Sequence, residues 1–131
     1  MAKLELIPGK YSLTDENFAS TAERLMKGYL EKPEGGKLTT SKLRGIYAMV
    51  MNVYTKVNCP EDYQKSKPDI QYLKVRMAYE AGREQAVKSF LTTTKLMDVL
   101  NEVASYEQFM LYCRYAESLV AYFKFFGGKD Q

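Results

Sequence analysis

Apolar residues in this chain recur three and four positions apart in every patterned segment, and nowhere do they alternate with polar residues for long. That spacing puts them on one face of an α-helix. The sequence therefore predicts an all-α protein, a compact bundle of five to six helices with no sheet.

The punctuation between segments predicts the boundaries. Pro8-Gly9 would break any helix begun before it, so residues 1–13 are expected to form an irregular arm. Thr14 is expected to cap a first helix, with Asp15 and Glu16 favouring the positive end of its dipole. Phe18, Ala22, Leu25, Met26 and Tyr29 share its apolar face, and Pro33, Gly35 and Gly36 end it. A second helix begins near Thr39-Thr40-Ser41 and carries a stripe from Leu43 to Val57. Asn58-Cys59-Pro60 stops it, and residues 58–67 read as a polar loop. Pro68 suits the first turn of a third helix, which Gly82 would close in a left-handed cap. Helical character resumes after Arg83, weakens at Thr92-Thr93-Thr94 and continues from Leu96 to Val103. Ser105 with Gln108 forms a capping box for the last helix, whose face runs from Phe109 to Phe123 before Gly127-Gly128. One helical domain over residues 14–128 and a tail over 129–131 follow.

With 131 residues the chain is long enough to bury a core without disulfide or metal staples. It contains no His, which removes imidazole acid–base chemistry, Ser-His and Cys-His nucleophiles, and His-ligated metals. Cys59 and Cys113 match no zinc or redox spacing and read as reduced thiols. No phosphate-binding loop, nucleophile elbow or metalloprotease motif occurs. The carboxylate pairs Glu61-Asp62 and Glu80/Glu84 read as solvated surface charge. No cofactor and no metal are expected. No apolar run is long enough for a membrane span or a signal peptide, so a cytoplasmic protein is expected.

The charge is unevenly spread. Eleven basic and six acidic residues fall between Lys37 and Leu100, while the flanks on each side are slightly acidic. A basic middle of this kind suits a polyanion-facing surface. Three stretches stand out. Thr39-Thr40-Ser41-Lys42-Leu43-Arg44 crowds capping residues and two cations at one helix start, where free N–H groups hold phosphate well. Arg76-Met77-Ala78-Tyr79-Glu80-Ala81-Gly82-Arg83 sets two arginines seven apart, close to one helix face, with Glu80 as an intramolecular alternative partner. From Tyr115 to Gly128, Glu117 is a candidate for a buried pair with one of those arginines. Tyr122, Phe125 and Phe126 cannot all join Phe123 in the core, so part of that aromatic set should be exposed.

In this order and spacing the three stretches resemble the small helical subunit of the type III-A CRISPR (Csm) complex. The matching residues are Thr39 to Arg44, Ala78 to Arg83, and Glu117 to Gly128. Phe123 stands where that family often has His, and Ser118 where Ala is common. The resemblance implies a non-catalytic subunit that stacks with copies of itself beside the crRNA-bearing backbone subunits. It would contact the crRNA–target RNA duplex and the large subunit, with cleavage chemistry residing in those other subunits. On that reading Lys42, Arg44, Arg76, Arg83, Lys88 and Lys124 are the candidate RNA-binding residues, touching phosphates whatever the guide sequence. The alternative is a purely structural spacer whose arginines pair with carboxylates of neighbouring subunits.

Overall fold

The computed structural model describes residues 2–128; the expected tail at 129–131 lies outside them. Seven α-helices and one small hairpin make up the described residues.

The arm expected to be irregular is a β-hairpin. Strand β1 (Lys3–Ile7) pairs antiparallel with β2 (Tyr11–Thr14), Leu4 opposite Leu13, with a bulge between Glu5 and Ile7. Pro8-Gly9 does break the chain, but as the turn: Gly9 takes φ +75°, and the Lys10 N–H donates to the Ile7 carbonyl at 2.9 Å. Leu4, Leu6 and Leu13 are buried. An isolated two-stranded hairpin is marginal in water. This one packs on the first helix and on two helices further along the chain, and Gln108 Nε2 donates to the Lys3 carbonyl at 2.8 Å.

Because β2 runs through Thr14, the first helix starts later than expected. Helix α1 spans Phe18–Leu30 with Asn17 at its N-cap. The Asn17 side chain serves the hairpin, accepting from the Thr14 N–H at 2.8 Å and donating to the Ser12 carbonyl at 2.9 Å. A single 3-10 turn at Pro33–Gly36 follows. Helix α2 (Thr40–Tyr54) is capped as its sequence predicts, Thr39 Oγ1 accepting from the Lys42 N–H at 3.2 Å.

The predicted polar loop contains a short helix, α3 (Pro60–Lys65). Pro60 suits its first turn, Glu61 and Asp62 lie at its positive end, and Tyr63 is buried near Phe109. Helix α4 (Lys67–Arg83) runs through Gly82, which therefore takes no left-handed cap; the chain turns instead at the extended Glu84. Helices α5 (Gln85–Thr94) and α6 (Leu96–Leu100) are divided at the threonine run, where Lys95 has φ 63°. There Thr94 Oγ1 donates to the Phe90 carbonyl at 2.8 Å.

Helix α7 (Tyr106–Phe125) starts on the predicted cap, with Ser105 Oγ accepting from the Gln108 N–H at 3.1 Å. It ends at Gly127, whose φ of +82° favours glycine. It forms the centre of the bundle and packs against α1, α2, α3 and α6. Its residues Tyr112, Tyr115, Leu119 and Phe123 are fully buried. The Tyr112 and Tyr115 hydroxyls donate to the Leu96 and Thr94 carbonyls at 2.9 and 2.5 Å, which pins the α5–α6 junction. Among the described residues no helix is long and apolar enough to cross a membrane.

Candidate nucleic-acid interface

Helix α2 buries Leu43, Ile46, Val50 and Val53. Its period then forces Lys42 and Arg44, two residues apart, onto opposite flanks of that stripe. Lys42 leans toward α4 and lines a cavity of about 190 Å³ with Arg76, Glu80 and Val87. Arg44 is exposed on the other flank. Helix α4 buries Ile70, Leu73 and Met77, which leaves Arg76 and Arg83 exposed on one side, as their spacing of seven predicts.

Two carboxylates bind this group together. Lys42 Nζ lies 3.1 Å from Glu84, and Arg83 lies 3.6 Å from Glu80. The structure thus gathers Lys42, Arg76 and Arg83 around Glu80 and Glu84 where α2, α4 and α5 meet. Lys42 and Arg83 each pair with one carboxylate, Arg76 borders the same cavity as Glu80, and the pairs are solvent-exposed enough to exchange partners at little energetic cost. The pairing with Glu80 realises the intramolecular alternative foreseen for the arginines.

The remaining three candidates lie elsewhere. Lys88 lines a separate cleft of about 290 Å³ on the opposite flank of α4, with Ala78, Gly82 and Asp98. Lys124 is in the last turn of α7, beside the aromatic cluster of Tyr122, Phe125 and Phe126. Phe125 in that cluster is 73% exposed while Phe123 is fully buried, the division expected from the sequence. Glu117 forms no buried pair with an arginine. It is exposed on α7 and borders a cleft with Tyr47, Tyr54 and Arg114, to which α4 contributes no residue. Burial pushes the Tyr47 phenol above its ordinary value, with Glu117 adding to the shift.

Sequence reasoning missed two exposed rings on α4. Arg76 lies with its guanidinium 5.9 Å from the Tyr72 ring centroid, and Arg83 lies 5.5 Å from that of Tyr79. The available signal was a Tyr-x-x-x-Arg unit occurring twice, seven residues apart.

Chemically the arrangement can hold anions. Burial pushes the Cys113 thiol up to about 12, against the pull of Arg114, so it stays protonated at neutral pH and is a poor nucleophile. Among the described residues no group of three His, Cys, Asp or Glu side chains is placed to hold a metal ion.

The family model described as Csm2 Type III-A matches residues 13–129. The chain belongs to the Csm2 type III-A family. It is similar to the CRISPR system Cms protein Csm2 of Streptococcus thermophilus, 40% identical over 120 residues, covering 90% of this chain and 98% of that protein. A Csm2 protein of Enterococcus italicus is 45% identical over 95 residues, 68% of each chain. One of Mycobacterium tuberculosis is 32% identical over 124 residues, 92% of this chain and 99% of that protein. The family match takes in all six candidate cations, strand β2 in part and every helix.

Proposed function

We propose that the chain is a non-catalytic small subunit of a type III-A CRISPR RNA-guided interference complex, where it braces the crRNA–target RNA duplex. In that role it stacks with copies of itself and contacts the backbone and large subunits. Family membership supports the setting. The observation that carries the RNA-facing role is the gathering of Lys42, Arg76 and Arg83 at the α2–α4–α5 junction, on helices held by a continuous core. Phosphates can displace Glu80 and Glu84 from these cations without any base being read, as an arbitrary guide requires. Arg44, Lys88 and Lys124 extend the basic surface beyond the cluster. Each isolated interaction is weak, and repetition of the subunit along the complex raises the effective affinity.

The test is charge reversal, Arg44→Glu with Arg83→Glu, in the reconstituted complex. The expected result is assembly with weaker target RNA engagement. The log–log salt dependence should become shallower by roughly one for each phosphate that is no longer neutralised. The second reading is the structural spacer, favoured by the fact that Lys42 and Arg83 already have internal carboxylate partners. Unchanged target engagement across a salt titration, with no RNA crosslinks to this subunit, would establish the spacer instead.

A further inference from the structure

We propose that the outer face of α4 is a stacking platform for unpaired RNA, Tyr72 and Tyr79 receiving bases while Arg76 and Arg83 hold the adjoining phosphates. The inference rests on the RNA-facing reading above and adds a ligand class to it. Tyr72 and Tyr79 are 60% and 61% exposed, the highest values among the large hydrophobic side chains after Phe125, and Val75 between them is 58% exposed. Seven residues are two helical turns, so the rings leave one face about 10 Å apart. Each ring has a guanidinium one turn further on, within cation–π range. The same two-residue device therefore occurs twice along one line.

The line's own charges are two guanidiniums, with Glu80 3.6 Å from Arg83 and Asp69 beside Tyr72 and Arg76 at its edge. The nearest carboxylates on α4 lie at its α2 flank: Asp69 is 3.9 Å from Lys56, and Glu80 borders the cavity that Lys42 lines. The outward face presents two aromatic rings, one valine and two guanidiniums, and a phosphate held by Arg83 displaces the solvent-exposed pairing with Glu80. A ligand that complements it must bring negative charge and flat unsaturated surfaces together, at a spacing of nucleotide size. RNA does so in one molecule. Inside a duplex the base faces are covered by their neighbours, so the complementary nucleotides are unpaired: flipped out, bulged or single-stranded. Base–aromatic stacking is indifferent to which base is presented, which fits a subunit that serves any guide.

The measurement is fluorescence anisotropy of the full chain at low salt, with labelled oligouridylate and, separately, a blunt RNA duplex. It is repeated for the assembled complex. Tyr72→Leu with Tyr79→Leu is expected to weaken oligouridylate binding at least about tenfold, from the usual contribution of a stacked base. Duplex binding should stay near wild type. Tyr72→Phe with Tyr79→Phe keeps the rings and should keep the affinity. Because both side chains point to solvent, circular dichroism should show all variants folded. A leucine variant that binds oligouridylate as wild type does, or loses both RNAs equally, overturns the proposal. So does one that binds RNA normally but no longer assembles, which would make this face a protein-docking surface. Wild-type chain that binds duplex but not oligouridylate sinks the stacking platform alone. Absence of binding to either RNA, free and in the complex, sinks the RNA reading with it.

Discussion

Buried tyrosine hydroxyls tie the aromatic core to the backbone of α5 and α6. Tyr29, Tyr112 and Tyr115 each bury a full aromatic ring, and each donates to a backbone carbonyl near the ends of α5 and α6. The last carbonyls of a helix have no partner within it, so the Tyr115 hydroxyl on Thr94, the last residue of α5, supplies what the α5–α6 break removes. Tyr115→Phe keeps the ring and deletes the donor to Thr94. It is expected to destabilise the fold by about 1–2 kcal/mol, read as a lower urea midpoint at unchanged slope. The buried rings of Tyr29 and Tyr112 were readable in the apolar faces of α1 and α7, but that of Tyr115 was not. The hydroxyl partners were not, because Thr94 and Leu96 are 16 to 21 residues away in the chain.

The elements divide into those whose stop and start signals act locally and those formed by packing. Thr39 and Ser105 cap α2 and α7 where they stand in the sequence, since a cap needs only a side chain and the N–H three residues on. The hairpin was not legible: its alternation lasts five residues, and it is stabilised by the helices beneath it and by Gln108. Helix α3 escaped notice for a similar reason, since Tyr63 is its one buried side chain and that burial depends on Phe109. Gly35, expected only to end a helix, has a stricter role. A Cβ there would collide with the Tyr29 carbonyl oxygen and come within 2.7 Å of Leu30 Cα, both backbone atoms. Gly35→Ala should therefore cost more than about 2 kcal/mol by forcing the turn away from α1, visible as a lowered Tm.

At the scale of the whole molecule, the core is arranged so that its ionisable groups must stay neutral. Burial raises the phenols of Tyr29, Tyr112 and Tyr115, and the Cys113 thiol, above their ordinary values of 10.0 and 9.0. In the unfolded chain these groups lose protons as the pH passes those values, while the folded chain retains them. The unfolded state then binds fewer protons, so folding stability is full below about pH 9 and falls as pH rises beyond it. Urea titrations at increasing pH should show the midpoint dropping from there, with tyrosinate absorbance appearing together with unfolding. The same packing decides the candidate interface. The residues of the basic stretches, and the likeness to the Csm small subunit, are visible in the chain itself. So is the helical class, because a period of three to four residues is a property of neighbours in sequence. Which cations meet is a property of helix azimuth and crossing. Lys42 joins Arg76 and Arg83 while Arg44, two residues away, does not, because 3.6 residues make a turn and only the docking of α2 on α4 and α7 determines what each flank faces.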